Sequence, residues 1–388
     1  MYNFNKITER RGTNCVKWDS DFVTEQVTPM WIADMDFEVA PAIQRRLRER
    51  VEHGVFGYQF LSEEYYTAII DWMKRRHQLE VKKEWISYVP NVVLGLTLAI
   101  RTVSDPGDEL IICTPVYGPF YRSIEDTGRV VVESPMKNEN GYYTIDFEDF
   151  ERKITKKTKA MILCNPHNPV GRVWSREELE KIADICIRHN LYIISDDIHS
   201  ELVTKEHPHT FMCTISEEVR EKCITFTSPS KAFNLASVHV ANCFISNPEL
   251  RERFQNISEK SHAAENNAFA EAALRGAYEK SADWLDELNA YIEENFDYIV
   301  NYIQKEIPQI TVYKPEGTYL LWLDCRRLGL SDDKIHDFLL EECRLAVNDG
   351  TFFGKEGKGF VRMNAACPRK LIQDVLELLR EKLCTLDV

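Results

Sequence analysis

The spacing of apolar positions changes several times along the chain, and each change marks an element. From Pro41, Ile43, Leu47 and Val51 recur at helical spacing. Gly54-Val55-Phe56-Gly57-Tyr58 then reads as a glycine-punctuated loop. A helix is predicted over 62–77, with Ser62 as N-cap and Tyr65/Tyr66, Ile69/Ile70 and Met73 on its apolar face. From residue 85 short apolar runs alternate with helices. Strands are predicted at 85–89, 109–113, 130–133, 160–164, 191–194, 224–227 and 240–245. One intervening helix spans 92–103, and a second follows Ser175, whose spacing to Glu178 is that of a capping box. Near-continuous apolar strands between helices predict an α/β fold with a mostly parallel sheet covered on both faces.

Beyond residue 280 the pattern differs. One long amphipathic helix is predicted over 281–307, with Trp284, Leu288, Ile292, Ile299 and Ile303 on its buried face and Pro308 ending it. Strands follow at 318–323 and 360–364, with helices from Ser331 to about 343 and over 371–383. This is the pattern of a smaller α+β unit, which the first residues are expected to join. The expected division is therefore a large domain over 45–280 and a small domain formed by 1–44 with 281–388.

Composition narrows the class. The 388 residues are 44% hydrophobic and 28% charged, as in an ordinary globular protein. Lys+Arg 48 against Asp+Glu 62 leaves a net charge of −14, which argues against general binding of nucleic acid or an anionic membrane. No uncharged run is long enough for a membrane span, and the N-terminus lacks an apolar signal core. The 11 cysteines stand singly with no CxxC pair, which favours reduced thiols in a cytoplasmic protein over disulfides or a metal site.

The chemistry gathers at strand ends, where open α/β sheets bind ligands. Lys231, in Ser228-Pro229-Ser230-Lys231, follows the strand at 224–227. Alone it is an ordinary loop lysine; as an amine with lowered pKa it is a nucleophile toward a carbonyl. Taken singly, Tyr117 is a turn aromatic, Asn165 and Asn168 are Asn-Pro turn residues, Asp196 is a cap and His199 a satisfied polar group. Together they fit one aromatic aldehyde cofactor. Asp196 would keep a ring nitrogen protonated, Asn168 and His199 would hold a phenolate oxygen, and Tyr117 would stack on the ring. Backbone N–H groups of Val92 and Val93 at a helix start, with the Ser228 hydroxyl, would hold a phosphate. Those parts describe pyridoxal 5′-phosphate.

The order of motifs resembles the aminotransferase-like superfamily of pyridoxal-phosphate enzymes of fold type I, from about residue 28 to the C-terminus. Asn165-Pro166-His167-Asn168-Pro169-Val170-Gly171 is similar to its Asn-Pro-x-Asn-Pro-x-Gly loop, and Asp196-Asp197-Ile198-His199 to its Asp-Glu-x-(Tyr/His) strand end. Ser228-Pro229-Ser230-Lys231 resembles its cofactor-lysine site, and Phe360-Val361-Arg362-Met363-Asn364 its carboxylate-binding strand. The resemblance implies an aspartate-aminotransferase-like fold with a seven-stranded large-domain sheet. It also implies a cofactor site that includes Ser230, and substrate contacts at Arg362, Ala33 and Asn165. Gly57-Tyr58 is similar to the loop whose tyrosine reaches a phosphate across a dimer interface, which implies a homodimer. Many members carry an arginine eight residues after the lysine; His239 stands there, so the phosphate charge must be met by other groups.

A narrower resemblance is to the cystathionine β-lyase branch of the MalY/PatB type. It rests on Met30-Trp31-Ile32-Ala33-Asp34-Met35-Asp36-Phe37, Asp197-Ile198-His199-Ser200-Glu201, Ser230-Lys231-Ala232-Phe233-Asn234-Leu235-Ala236 and Asn364-Ala365-Ala366-Cys367-Pro368-Arg369. This branch implies a carbon–sulfur β-lyase acting on a sulfur-containing amino acid. Two alternatives stay open: a class I/II aminotransferase using an amino acid and a 2-oxo acid, and a regulatory binding protein that retains the cofactor. No metal is expected.

Overall fold

A computed structural model describes residues 2–385. Its centre is a seven-stranded sheet: β1 Ile86–Val89, β2 Glu109–Thr114, β3 Val130–Pro135, β4 Thr158–Cys164, β5 Tyr192–Asp196, β6 Cys223–Thr227 and β7 Ala241–Phe244. The strand order is β1-β7-β6-β5-β4-β2-β3. Only β7 runs antiparallel to its neighbours. Alternate residues of each strand enter separate cores. Leu110 and Ile112 of β2 pack on one face with Ile162, Ile194 and Ile224, whereas Ile111, Met161 and Ile193 pack on the other. Apolar residues on both faces thus explain why these strands lack polar alternation.

Helices α1 Pro41–His53, α2 Glu63–His77, α3 Val92–Val103, α4 Arg176–Arg188, α5 Ala270–Lys280, α6 Ala282–Glu306 and α7 Arg369–Cys384 surround the sheets. The Ser62 hydroxyl accepts from the Tyr65 amide at 3.3 Å, and Ser175 with Glu178 forms the expected capping box. Ser331 makes no side-chain cap bond, and the helix it precedes passes from α-helix at Asp332–Asp337 into a π-helical turn at Phe338–Glu342. Helix α1 runs straight through the expected domain break at 44/45.

A second sheet is built from β8 Thr311–Val312, β9 Leu320–Asp324, β10 Asn348–Asp349 and β11 Phe360–Asn364, in the order β8-β9-β11-β10 with all pairs antiparallel. The N-terminal segment is stitched to this sheet. Thr28–Pro29 pairs in parallel with Leu345–Ala346, the Asn364 amide donates to the Met30 carbonyl at 2.8 Å, and the Asp36 amide donates to the Ala366 carbonyl at 2.9 Å. A buried ion cluster fixes the same segment. Asp36 takes Arg10 at 2.6 Å and Lys17 at 2.7 Å, with Lys17 1% exposed, and Asp34 takes Arg10 at 2.7 Å. Removing any one partner would strand a buried charge, which locks residues 34–36 in place.

Candidate active site

The register of the large sheet explains why motifs far apart in sequence meet. Cys164 of β4 lies opposite Asp196 of β5, and Asp196 lies opposite Phe226 of β6. Three parallel strands therefore end side by side, and the chain leaves them through Asn168, His199 and Lys231. Tyr117 follows the next strand, β2, and Val92 and Val93 follow β1. A cavity of about 400 Å³ opens at this edge. Its walls include Ala33, Val92, Val93, Tyr117, Asn168, Asp196, His199, Ser230, Lys231 and Arg362.

The lysine is held from across the molecule. Lys231 Nζ donates to the Ala33 carbonyl at 2.7 Å, and the Tyr319 hydroxyl donates to the same oxygen at 2.8 Å. The Asn234 side chain accepts from the Met35 amide at 3.0 Å and donates to the Met35 and Phe37 carbonyls, both at 2.9 Å. The helical turn carrying Lys231 is thus clamped to the N-terminal segment. Burial lowers the Lys231 amine to about 8, with the nearby Arg362 charge acting in the same direction.

Asp196 is 4% exposed and accepts from the Ile198 amide at 3.2 Å. Burial pushes it up to about 7, against the effect of the Ile198 bond, and the neighbouring Asp197 adds to the rise. Burial, with Lys231 and Arg362 nearby, holds His199 well below the usual imidazole range, so its ring is neutral. Its Nδ1 is buried with no hydrogen-bond partner among the described residues.

Arg362 is 4% exposed. Its guanidinium donates to Asn168 Oδ1 at 3.0 Å, the Trp31 carbonyl at 2.9 Å and Asn348 Oδ1 at 2.6 Å, and lies 4.8 Å from the centre of the Phe353 ring. Asn348 is its cross-strand partner on β10. Every one of these acceptors is neutral, and Nε has no partner among the described residues. Burial lowers the guanidinium to about 10. A buried cation on the wall of a cavity without a carboxylate partner is an anion site, because such a charge is costly unless matched.

Three expected site residues are placed otherwise. Asn165 is fully buried and gives both ends of its amide to the frame, donating to the Thr210 carbonyl at 3.1 Å and accepting from the Trp174 amide at 3.2 Å. Ser228 lies behind the cavity wall, 2.6 Å from the Val240 carbonyl, and caps the turn through the Ser230 amide at 3.0 Å. Tyr58 is 105% exposed and far out on its loop. The wall also holds residues the sequence did not single out: Asn348, Phe352 and Cys164. Asn348 was within reach of a pattern argument only if its pairing with Arg362 had been known.

These residues fit pyridoxal phosphate. The cavity offers an amine of lowered pKa, a buried carboxyl one strand away, an orphaned imidazole nitrogen, an aromatic wall and the first turn of α3. Asn91 caps that turn, accepting from the Leu94 amide at 2.9 Å, while the Val92 and Val93 amides precede any intrahelical partner.

The profile of the family described as aminotransferase class I and II matches residues 32–379. Cystathionine beta-lyase PatB of Bacillus subtilis is 38% identical, over 98% of this chain and 100% of its own. Cystalysin of Treponema denticola, whose crystal structure contains pyridoxal 5′-phosphate, superposes with a TM-score of 0.97 at 35% identity over 100% of both chains. A pyridoxal-phosphate-bound putative aminotransferase from Clostridium difficile superposes with a TM-score of 0.96 at 38% identity, over 99% of this chain and 100% of its own.

Proposed function

Since the chain belongs to the class I and II aminotransferase family, we propose that it is a pyridoxal-phosphate-dependent carbon–sulfur β-lyase. It takes a sulfur-substituted amino acid and water to a thiol, pyruvate and ammonia. The observation that carries this is the meeting of Lys231 and Arg362 in one cavity: an amine suited to a carbonyl beside a guanidinium lacking an anion. The choice of lyase follows relatives such as PatB, a cystathionine beta-lyase, matched end to end.

When bound, the cofactor's ring withdraws electrons from the substrate α-carbon, so the proton there becomes acidic. The chain does the rest. Arg362 takes the substrate α-carboxylate in a charge-assisted pair, oriented by Asn168 and Asn348. Lys231 Nζ anchors the cofactor and accepts the α-proton; with its pKa lowered to about 8, a useful fraction is neutral near neutral pH. With the cofactor bound, Asp196 would hold the ring nitrogen, His199 and Asn168 would hold the ring oxygen, and Tyr117 would cover a ring face. The Val92 and Val93 amides with Ser230 would hold the phosphate, while Ser228 supports Ser230 from behind. Ala33 lines the substrate side through its carbonyl, and Asn165 shapes the loop that presents Asn168.

The active unit is a homodimer in which Tyr58 reaches the partner's phosphate. Supporting this, Val51, Val55, Phe56, Tyr58 and Phe60 form an exposed run, Phe60 being 98% exposed. Such a patch is expected to be covered. All cysteines but Cys15 and Cys384 are buried and none is bridged, which supports a reducing cytoplasm. Among the described residues no helix is long and apolar enough to cross a membrane. In this reading the large domain spans 45–280 and the small domain joins 1–44 to 281–388, with α1 carrying the chain across the first boundary.

An aminotransferase is the second reading, because a putative aminotransferase shares the whole frame at a TM-score of 0.96. Release of thiol or hydrogen sulfide from a panel of β-substituted amino acids tests the proposal: a lyase releases homocysteine from cystathionine or hydrogen sulfide from cysteine, and a panel that yields neither refutes it.

A further inference from the structure

Of the motif Asp197-Ile198-His199-Ser200-Glu201, the chemistry above uses only His199. Successive side chains at a strand end point to opposite sides, so Asp196 enters the cavity while Asp197 turns behind it. There it meets His209, whose Nε2 lies 2.9 Å from Asp197 Oδ1, with both side chains 0% exposed. Neither carboxylate oxygen and neither His209 ring nitrogen makes a hydrogen bond with any described residue, so the contact is one of proximity alone. The pair continues outward. The His209 ring meets the His77 ring edge-on at 6.2 Å, and His77 Nε2 lies 2.6 Å from Glu201 Oε1. Trp72 Nε1 also donates to that oxygen at 2.6 Å, and Arg76 stands 3.6 Å from the other. Among the described residues no such group has the arrangement of a metal site.

We propose that Asp197, buried against His209, is a positioning residue for the cofactor: its charge behind the strand end sets how firmly the Asp196 position keeps a proton on the ring nitrogen. A buried carboxylate one residue away raises the proton affinity of Asp196, and Asp197 does so here. The other titratable groups facing Asp197 are the thiols of Cys164, Cys213 and Cys223, which burial keeps protonated, and His209. On the cavity side Lys231 acts on Asp196 in the opposite direction to Asp197.

This inference rests on the pyridoxal-phosphate reading, and the test separates the two. The holoenzyme is loaded with cofactor labelled with nitrogen-15 in the ring, and the ring-nitrogen shift is followed against pH. In the unmodified protein the ring nitrogen is protonated; failure to load any cofactor refutes the reading itself. Asp197→Asn lowers the midpoint of ring deprotonation by about one pH unit or more, a tenfold or greater loss of proton affinity. Asp197→Glu, which keeps the charge, restores most of it. His209→Gln, which removes the ring beside Asp197 and leaves the carboxylate in place, leaves the midpoint at or above its original value. A midpoint unchanged in Asp197→Asn, or lowered in His209→Gln, overturns the proposal. The His209 arm decides the matter should Asp197→Asn fail to fold.

Discussion

Lys231 Nζ lies 2.7 Å from the carbonyl oxygen of Ala33. One residue follows the large sheet and the other belongs to the N-terminal segment stitched to the small sheet, so the reactive amine sits where the two layers meet. The amine is held by a backbone oxygen, not a carboxylate, which leaves burial free to lower its pKa to about 8. Lys231→Ala is expected to fold, because the Asn234 clamp remains, yet to lose cofactor fixation. Borohydride treatment followed by mass spectrometry should find no modified Lys231 peptide in the variant. Turnover should fall by about 10²–10⁴-fold or more, the range for loss of a general base.

Arg362 is matched only by neutral acceptors. Arg362→Ala removes the anion site, and a lost charge-assisted bond costs about 1.5–3 kcal/mol, or roughly 10- to 150-fold in kcat/KM. The loss should appear in KM and be similar for every amino acid substrate, because all share the α-carboxylate. Lysine at this position should recover little, since it cannot keep the planar fork that Asn168 and Asn348 hold. Steady-state kinetics with several substrates checks this; an unchanged KM removes Arg362 from the site.

Asp196 gives the cofactor-free chain a pH signature. Its carboxyl is raised from an ordinary 3.8 to about 7 in the folded state. The folded state therefore binds the proton more tightly than the unfolded one between those values, and stability from this group falls as pH rises through that window. Above about 7 the folded chain carries the full cost of a buried charge, on the order of 4 kcal/mol at most, from 1.36 kcal/mol per unit. Asp196→Asn removes the charge and keeps an acceptor for Ile198. Thermal melts of the two cofactor-free proteins should show the variant more stable above pH 7 and the difference gone near pH 4. A constant difference at both pH values contradicts the assignment.

Tyr58, fully exposed in a single chain, needs a second copy to have a role in the site. Tyr58→Ala should weaken cofactor affinity without unfolding the chain. Mixing it with Lys231→Ala should restore activity, because a mixed dimer contains one site with both residues intact. Sedimentation should find a dimer. No restored activity on subunit exchange argues against Tyr58 crossing the interface.

The sequence was legible wherever periodicity or a cap spoke for a whole element. The 92–103 helix, the Ser175 capping box and the 360–364 strand stand where the pattern put them. Strand-end chemistry was legible because parallel strands in register bring their last residues together, so Asn168, Asp196, His199 and Lys231 share one cavity. Contacts between distant segments were not. Nothing in Asn348 or Tyr319 announces that one orients Arg362 and the other shares the Ala33 carbonyl with Lys231. Asn165 and Ser228 look like ligands in sequence because polar residues that frame a site and those that touch it are alike in composition; their buried bonds distinguish them. The Asp197–His209 pair depends on a loop returning behind β5, which no local pattern reports.

The most direct test of the carbon–sulfur lyase account is pyruvate formation from cystathionine and from cysteine, by the pyridoxal-phosphate-loaded protein, with no 2-oxo acid added. The account predicts continuous pyruvate release, with one homocysteine per pyruvate from cystathionine and one hydrogen sulfide per pyruvate from cysteine, and no requirement for an oxo acid. A strict requirement for an added oxo acid, with its amino acid as product and no thiol released, would contradict it.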